Sequence, residues 1–128
     1  MIVATPVDQA GNTMHSWGRA HWVATGDVRE SDAGEPQVFD WQVHEVAWDE
    51  GHDAGTHGSH HATIVRFLRD HGVQAIVVDH VGEGMQRMLT SMAIPMLPAT
   101  AGDARASVAA ALNWAKDRLG SAEPGALG

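Results

Sequence analysis

Residues Val73 to Asp79 read Val-Gln-Ala-Ile-Val-Val-Asp, a run nearly unbroken in small and β-branched apolar side chains. It is too short to cross a membrane and lacks the in-out alternation of a half-exposed strand. A strand of this composition is covered on both faces. Segments of helical periodicity flank it, so the chain is expected to fold in layers, with helices packed against a central sheet.

The remaining segments fit that frame. Ile2 to Val7 is a short apolar strand, followed by a loop from Asp8 to Arg19. His21 to Val28 reads as a second strand, with Gly26-Asp27 a predicted irregularity. A polar turn region spans Arg29 to Gln37. Val38 to Trp48 reads as a third strand, in which Phe39, Trp41 and Val43 alternate with Asp40, Gln42 and His44, with a phase slip near Glu45-Val46. After the polar loop Asp49 to Ser59, a helix is predicted from about His60 to His71, capped by Ser59 and ended by Gly72. Past the buried run, Met85, Met88, Leu89 and Met92 form the apolar stripe of a short helix. Ile94 to Pro98 is a brief last strand. Asp103 then caps a helix to Leu119 with Val108, Leu112, Ala115 and Leu119 inward. One domain over residues 1–120 is expected, with 121–128 a disordered tail.

This β-β-β-α-β-α-β-α order has a geometric consequence. Short links between the first three strands favour antiparallel pairing, so strand three returns parallel to strand one. Helical crossovers keep strands four and five in that direction. Four strands then end at one edge of the sheet, where open α/β sheets bind ligands. Three loops meet there: Asp8 to Arg19, Asp49 to Ser59 and His80 to Gly84.

Those loops carry the compositional anomaly of the chain. It has nine histidines, no cysteine and a formal net charge of -8 in 128 residues. Without thiolates, any metal must be held by imidazole, carboxylate or exogenous ligands. An acidic surface disfavours nucleic acid. No apolar run suggests a membrane span, and Met1 to Pro6 lacks a basic leader, so a cytoplasmic protein is expected.

The densest candidate site is His52-x4-His57-x2-His60-His61, with His80 at the end of the buried strand. Imidazoles suit Zn, Ni, Cu or Fe, and Asp49, Glu50 and Asp53 could add carboxylates. The spacing matches no closed zinc signature, and a solvated loop is the plainer alternative. Gly82-x-Gly84 before a helix could bring backbone amides close to an anionic cluster or oxyanion. It lacks the third glycine of a dinucleotide fingerprint and the lysine of a P-loop. The methionine stripe is core, and His44 and His71 read as solvent-facing.

Taken together, Ile2-Val3-Ala4-Thr5-Pro6-Val7-Asp8, Trp17-Gly18-Arg19-Ala20, the Gly/His loop before a helix, and Gly72-Val73 leading to Gly82 resemble the dinitrogenase iron–molybdenum cofactor biosynthesis and nitrogenase accessory-factor family. The similarity spans about residues 1–119. The resemblance implies a three-layer α/β/α ribonuclease-H-like fold with a five-stranded mixed sheet, order 3-2-1-4-5, strand two antiparallel. It also implies carriage or protection of a metal cluster of the Fe/Mo type, and a protein that donates or receives it. The family signature, a histidine, an aromatic, then Gly-Arg-Ala, falls on Ser16, Trp17, Gly18, Arg19 and Ala20. Serine stands in the histidine position, with His15 one place earlier.

Three functions compete. The first is non-catalytic binding of a metal cluster or transition-metal ion by His52, His57, His60, His61 and His80 together with the His15 to Arg19 and Gly82-Gly84 loops. The second is a metal-dependent hydrolase using Asp8 and Asp79. The third is a metal-independent interaction or sensing module, for which exposed strand aromatics could support a homodimer.

Overall fold

The computed structural model describes residues 1–50 and 57–127, with side chains at 1–50 and 60–116. Its elements are β1 (Ile2–Val7), β2 (Trp22–Glu30), β3 (Pro36–Glu45), α1 (His57–Asp70), β4 (Ala75–Val77), α2 (Glu83–Ser91), β5 (Met96–Leu97) and α3 (Ala104–Leu127). They build one mixed sheet in the order β3-β2-β1-β4-β5. β2 is antiparallel to β1 and β3, while β4 is parallel to β1 and β5. The topology is that expected of the sequence, and β1, β3, β4 and β5 all end at the same edge. Among the described residues, no helix is long and apolar enough to cross a membrane.

β4 explains why the sheet needs two covers. Ala75 and Val77 face one cluster, with Val3, Val28, Val108 and Ala111, under α3. Ile76 and Val78 face the other, with Ala4, Val23, Ile64, Leu68, Met85 and Leu89, under α1 and α2. Every β4 residue is therefore buried, so its composition shows no alternation. Met85 and Leu89 are buried and Met88 and Met92 pack beside them, so the methionine stripe is core.

Several ends move from their expected places. α1 begins at His57, which puts Ser59 inside its first turn instead of at its cap. Gly72, at φ 63°, ends it with the Gly72 and Val73 amides donating to the Arg69 and Leu68 carbonyls. Asp103 caps α3 by accepting from the Ala106 amide at 2.9 Å. α3 continues beyond the expected Leu119, to Leu127. β3 stops at Glu45, not Trp48, because Ala47 turns left-handed at φ 51° and both the Val46 and Ala47 amides donate to the His21 carbonyl.

The alternation expected in β3 is broken earlier, at Asp40. Thr25 pairs with Gln42 but Asp27 with Phe39, so Asp40 and Trp41 oppose Gly26 alone. Asp40 takes φ 54° at this bulge. Val38 and Trp41 both pack toward α3 as a result, while Phe39 is left 43% exposed. The predicted irregularity at Gly26-Asp27 is thus real, and it changes which aromatics face the core.

His44 is not the solvent-facing residue expected. It is half-buried, its Nε2 lies 2.9 Å from Thr25 Oγ1, and its ring meets Phe67 and His71 of the α1 end. Burial, then the neighbouring His71, pushes its pKa below the usual 6.5. Just below pH 6.5 the unfolded chain therefore binds more protons at this site than the folded one. Its stabilising contribution is present above that value and is lost as pH falls through the lowered folded pKa. His44→Gln should flatten the acid limb of a stability–pH curve between 6.5 and the carboxylate range. Urea titrations across that window check this; an unchanged limb would refute it.

Candidate functional site

The carboxyl edge of the sheet brings together two of the three predicted loops and the start of α1. Ser16 forms a parallel bridge with His80, and the Trp17 amide donates to the His80 carbonyl at 3.4 Å. The His15 and His80 rings stack, 5.6 Å between centres and 7° between planes. α1 joins them through His60, whose Nε2–H donates to the Gly18 carbonyl at 2.7 Å. His61 lies against the first turn of α2, where a Cβ on Gly84 would come within 3.2 Å of its Cε1. A larger residue at 84 would make the His61 ring give way by a few tenths of an ångström. Gly82 is the extended N-cap of α2 and makes no side-chain cap.

Of the predicted residues, His15, Ser16, Trp17, Gly18, Arg19, His60, His61, His80, Gly82 and Gly84 thus lie along this edge. His52 falls outside the described residues, and only the backbone of His57 is described. His60 and His61 have ring centres 6.4 Å apart and tilted planes. Asp8, weighed as a Mg²⁺ ligand, accepts from the Asn12 amide at 2.9 Å. Among the described residues, neither Asp8 and Asp79 nor His15, His60, His61 and His80 belong to a group of three metal-ligating side chains.

An open cleft of about 620 Å³ lies in front of the first loop, lined by Met14, His15, Ser16, Arg19, His21 and Asp49, among others. Its volume is that of a small-molecule site. Beneath the loop, Trp17 is fully buried and meets Trp48 edge-on at 5.1 Å. Among the described residues its indole N–H has no hydrogen-bond partner. A buried unsatisfied donor of this kind costs about 1–3 kcal/mol.

On the second wall of the cleft, Asp49 and Glu50 were legible in the sequence as possible carboxylate ligands, but their partners His21 and Glu45 were missed. His21 Nε2 lies 2.7 Å from Glu45 Oε2, and His21 Nδ1 lies 2.8 Å from Asp49 Oδ1 and 3.5 Å from Glu50 Oε2. The hydrogen bonds to Glu45 and then Asp49 raise the His21 pKa; the bond from His21 lowers that of Asp49. A histidine just before one strand and an acidic pair just after the next was the available signal. A two-stranded hairpin places them side by side, and here Trp22 pairs with Glu45.

The fold and its edge define a small mixed-sheet α/β domain with an imidazole-lined cleft where its parallel strands end. The chain belongs to the dinitrogenase iron-molybdenum cofactor family, whose model matches residues 1–113. That family is linked to the biosynthesis or handling of the metal cluster it is named for. Three solved structures share the fold. PH0822 is 20% identical, covering 89% of this chain and 91% of its own, at a TM-score of 0.66. A Thermotoga protein designated NifB, TM1290, is 18% identical over 84% and 83% of the two chains, at 0.60. A Methanocaldococcus jannaschii protein designated a dinitrogenase, mj0327, is 22% identical over 80% and 79%, at 0.51. No curated protein matches the chain.

Proposed function

We propose that this protein binds and carries a metal cluster of the iron–molybdenum type, without transforming it, at the carboxyl edge of its sheet. The observation that supports this most is the stacked His15–His80 pair beside a cleft of about 620 Å³. Neutral imidazole nitrogens are borderline donors that suit iron and its neighbours. Both rings belong to exposed residues and can meet a bulky ligand from outside. Arg19 lines the same cleft and offsets negative charge on the cargo. The first turn of α2 has no side-chain cap and offers amide dipoles of the same sign next to His80, offset in part by the Glu83 carboxylate in that turn.

The donor set also explains why carriage is favoured over permanent tenancy. Iron–sulfur clusters are held firmly by several cysteine thiolates. This chain has no cysteine, so a cluster would be held by a few imidazoles and released readily to a protein that offers thiolate. His60 has a supporting part: its bond to the Gly18 carbonyl fixes the Ser16 to Arg19 loop against α1. His52 and His57, the latter the first residue of α1, belong to the same proposal as further ligands.

The test is anaerobic gel filtration of the purified chain with isolated iron–molybdenum cofactor, followed by iron and molybdenum analysis of the protein peak. Near-stoichiometric molybdenum is expected, falling at least tenfold in a His15→Ala/His80→Ala double variant. Because both residues are exposed, the variant should keep its circular dichroism spectrum. Equal molybdenum in the two proteins would overturn the assignment.

A further inference from the structure

We propose that His21, Asp49 and Glu50, on another wall of the same cleft, form a second site, one that binds a single divalent first-row transition-metal ion. The three offer one imidazole nitrogen and two carboxylate oxygens, all within 4.8 Å of one another. With metal–ligand lengths of about 2.1 Å, neighbouring donors lie about 3.0 Å apart in an octahedral shell and about 3.4 Å apart in a tetrahedral one. The observed separations from His21 Nδ1 are 2.8 Å to Asp49 and 3.5 Å to Glu50. Both separations from Nδ1 are thus near those of one coordination shell, and the two carboxylate oxygens lie within 4.8 Å of each other.

A simple ion pair accounts for only part of this arrangement. One N–H on Nδ1 can donate well to one carboxylate, yet two converge on it. Among the described residues no lysine or arginine lies within ion-pair distance of Glu45, Asp49 or Glu50. The surplus negative charge at Nδ1 is complementary to a divalent cation. On the far side of the ring, Glu45 accepts from Nε2–H at 2.7 Å. A ligating histidine typically has this carboxylate partner, which fixes its tautomer and aims its free nitrogen at the metal.

The backbone holds the donors in place. The Val46 and Ala47 amides donate to the His21 carbonyl, and the Trp48 amide donates to the Ala20 carbonyl. The Glu50 amide donates to Asp49 Oδ1 at 3.0 Å. His21 and Asp49 also line the cleft, so the open coordination positions face solvent and can take water or a bridging ligand. One nitrogen with two oxygens suits Mn²⁺, Fe²⁺, Co²⁺ or Zn²⁺ and disfavours soft Cu⁺.

The proposal shares no residue with the cluster-holding pair and can fail or succeed alone. The metal-free chain is titrated with Co²⁺, read by d–d absorption and calorimetry. One saturable equivalent is expected. Glu50→Gln, at a side chain 72% exposed, should weaken it at least tenfold while the circular dichroism spectrum is kept. His21→Gln should abolish it, and His15→Ala/His80→Ala should leave it unchanged. Absence of a saturable equivalent, or undiminished binding in Glu50→Gln and His21→Gln, would overturn the site. Loss of binding in His15→Ala/His80→Ala would overturn it equally, by placing the ion among the loop histidines.

Discussion

Trp17→Ala is expected to lower the unfolding free energy by about 3–5 kcal/mol, the range for emptying a fully buried aromatic position. Trp17 is 0% exposed, packs on Trp48 and joins the cluster that includes Ile64, Val81 and Met85. Its amide and carbonyl also tie the first loop together, through His80 and Ala20 respectively. The loss should therefore reach the site: the loop bearing His15 and Arg19 would lose its floor. Trp17→Phe separates packing from polarity. It keeps a ring against Trp48 and removes an indole N–H that has no partner among the described residues. Relief of that donor, about 1–3 kcal/mol, offsets the smaller loss of buried area, so Phe should stay within about 1 kcal/mol of the parent. Chemical denaturation of the three proteins decides it. A Phe variant as unstable as the Ala variant would show that the indole nitrogen has an unseen role.

Gly26→Val should cost about 1–3 kcal/mol, for the opposite reason. Here there is no room to fill. A Cβ on Gly26 would lie 2.8 Å from Val38 Cγ1 and 3.0 Å from Trp41 Cε3. Neither neighbour moves freely. Trp41 lies under the Arg105 guanidinium, 5.7 Å from it, and Arg105 also donates to the Val38 carbonyl. The damage should concentrate where β3 meets β2 and α3. Amide exchange in β3 should accelerate well before exchange in β4, which is covered on both faces. A variant within about 0.5 kcal/mol of the parent would mean that the bulge can relax away from the new side chain.

The two substitutions mark how differently the fold and the site can be read from the chain. β1 was legible at its observed bounds because it is a short apolar run closed by Asp8. The sheet order came with the family resemblance, and the parallel direction of β1, β3, β4 and β5 follows from link lengths and crossover handedness. The meeting of the first loop with His80 follows from that direction. The phase of β3 was not legible. Phe39, Trp41 and Val43 alternate perfectly on paper, but alternation assumes an unbroken ladder, and the bulge at Asp40 depends on a glycine fourteen residues earlier across the hairpin. Likewise His44 gave no local sign that it would pack on Phe67 and His71 of a helix that follows it.

Local chemistry was therefore enough to settle which segments are strands or helices, that β4 is covered on both faces, and, with the rules of chain direction, that the first loop would meet His80. Each of those properties depends on neighbours a few residues away or on rules of chain direction. Tertiary structure alone decided which side chains share an atom's reach: His15 on His80, His60 on Gly18, and His21 between Glu45 and Asp49. Those pairs are set by register and helix placement to within an ångström or two, and a shift of one residue between β2 and β3 would by itself part His21 from Glu45.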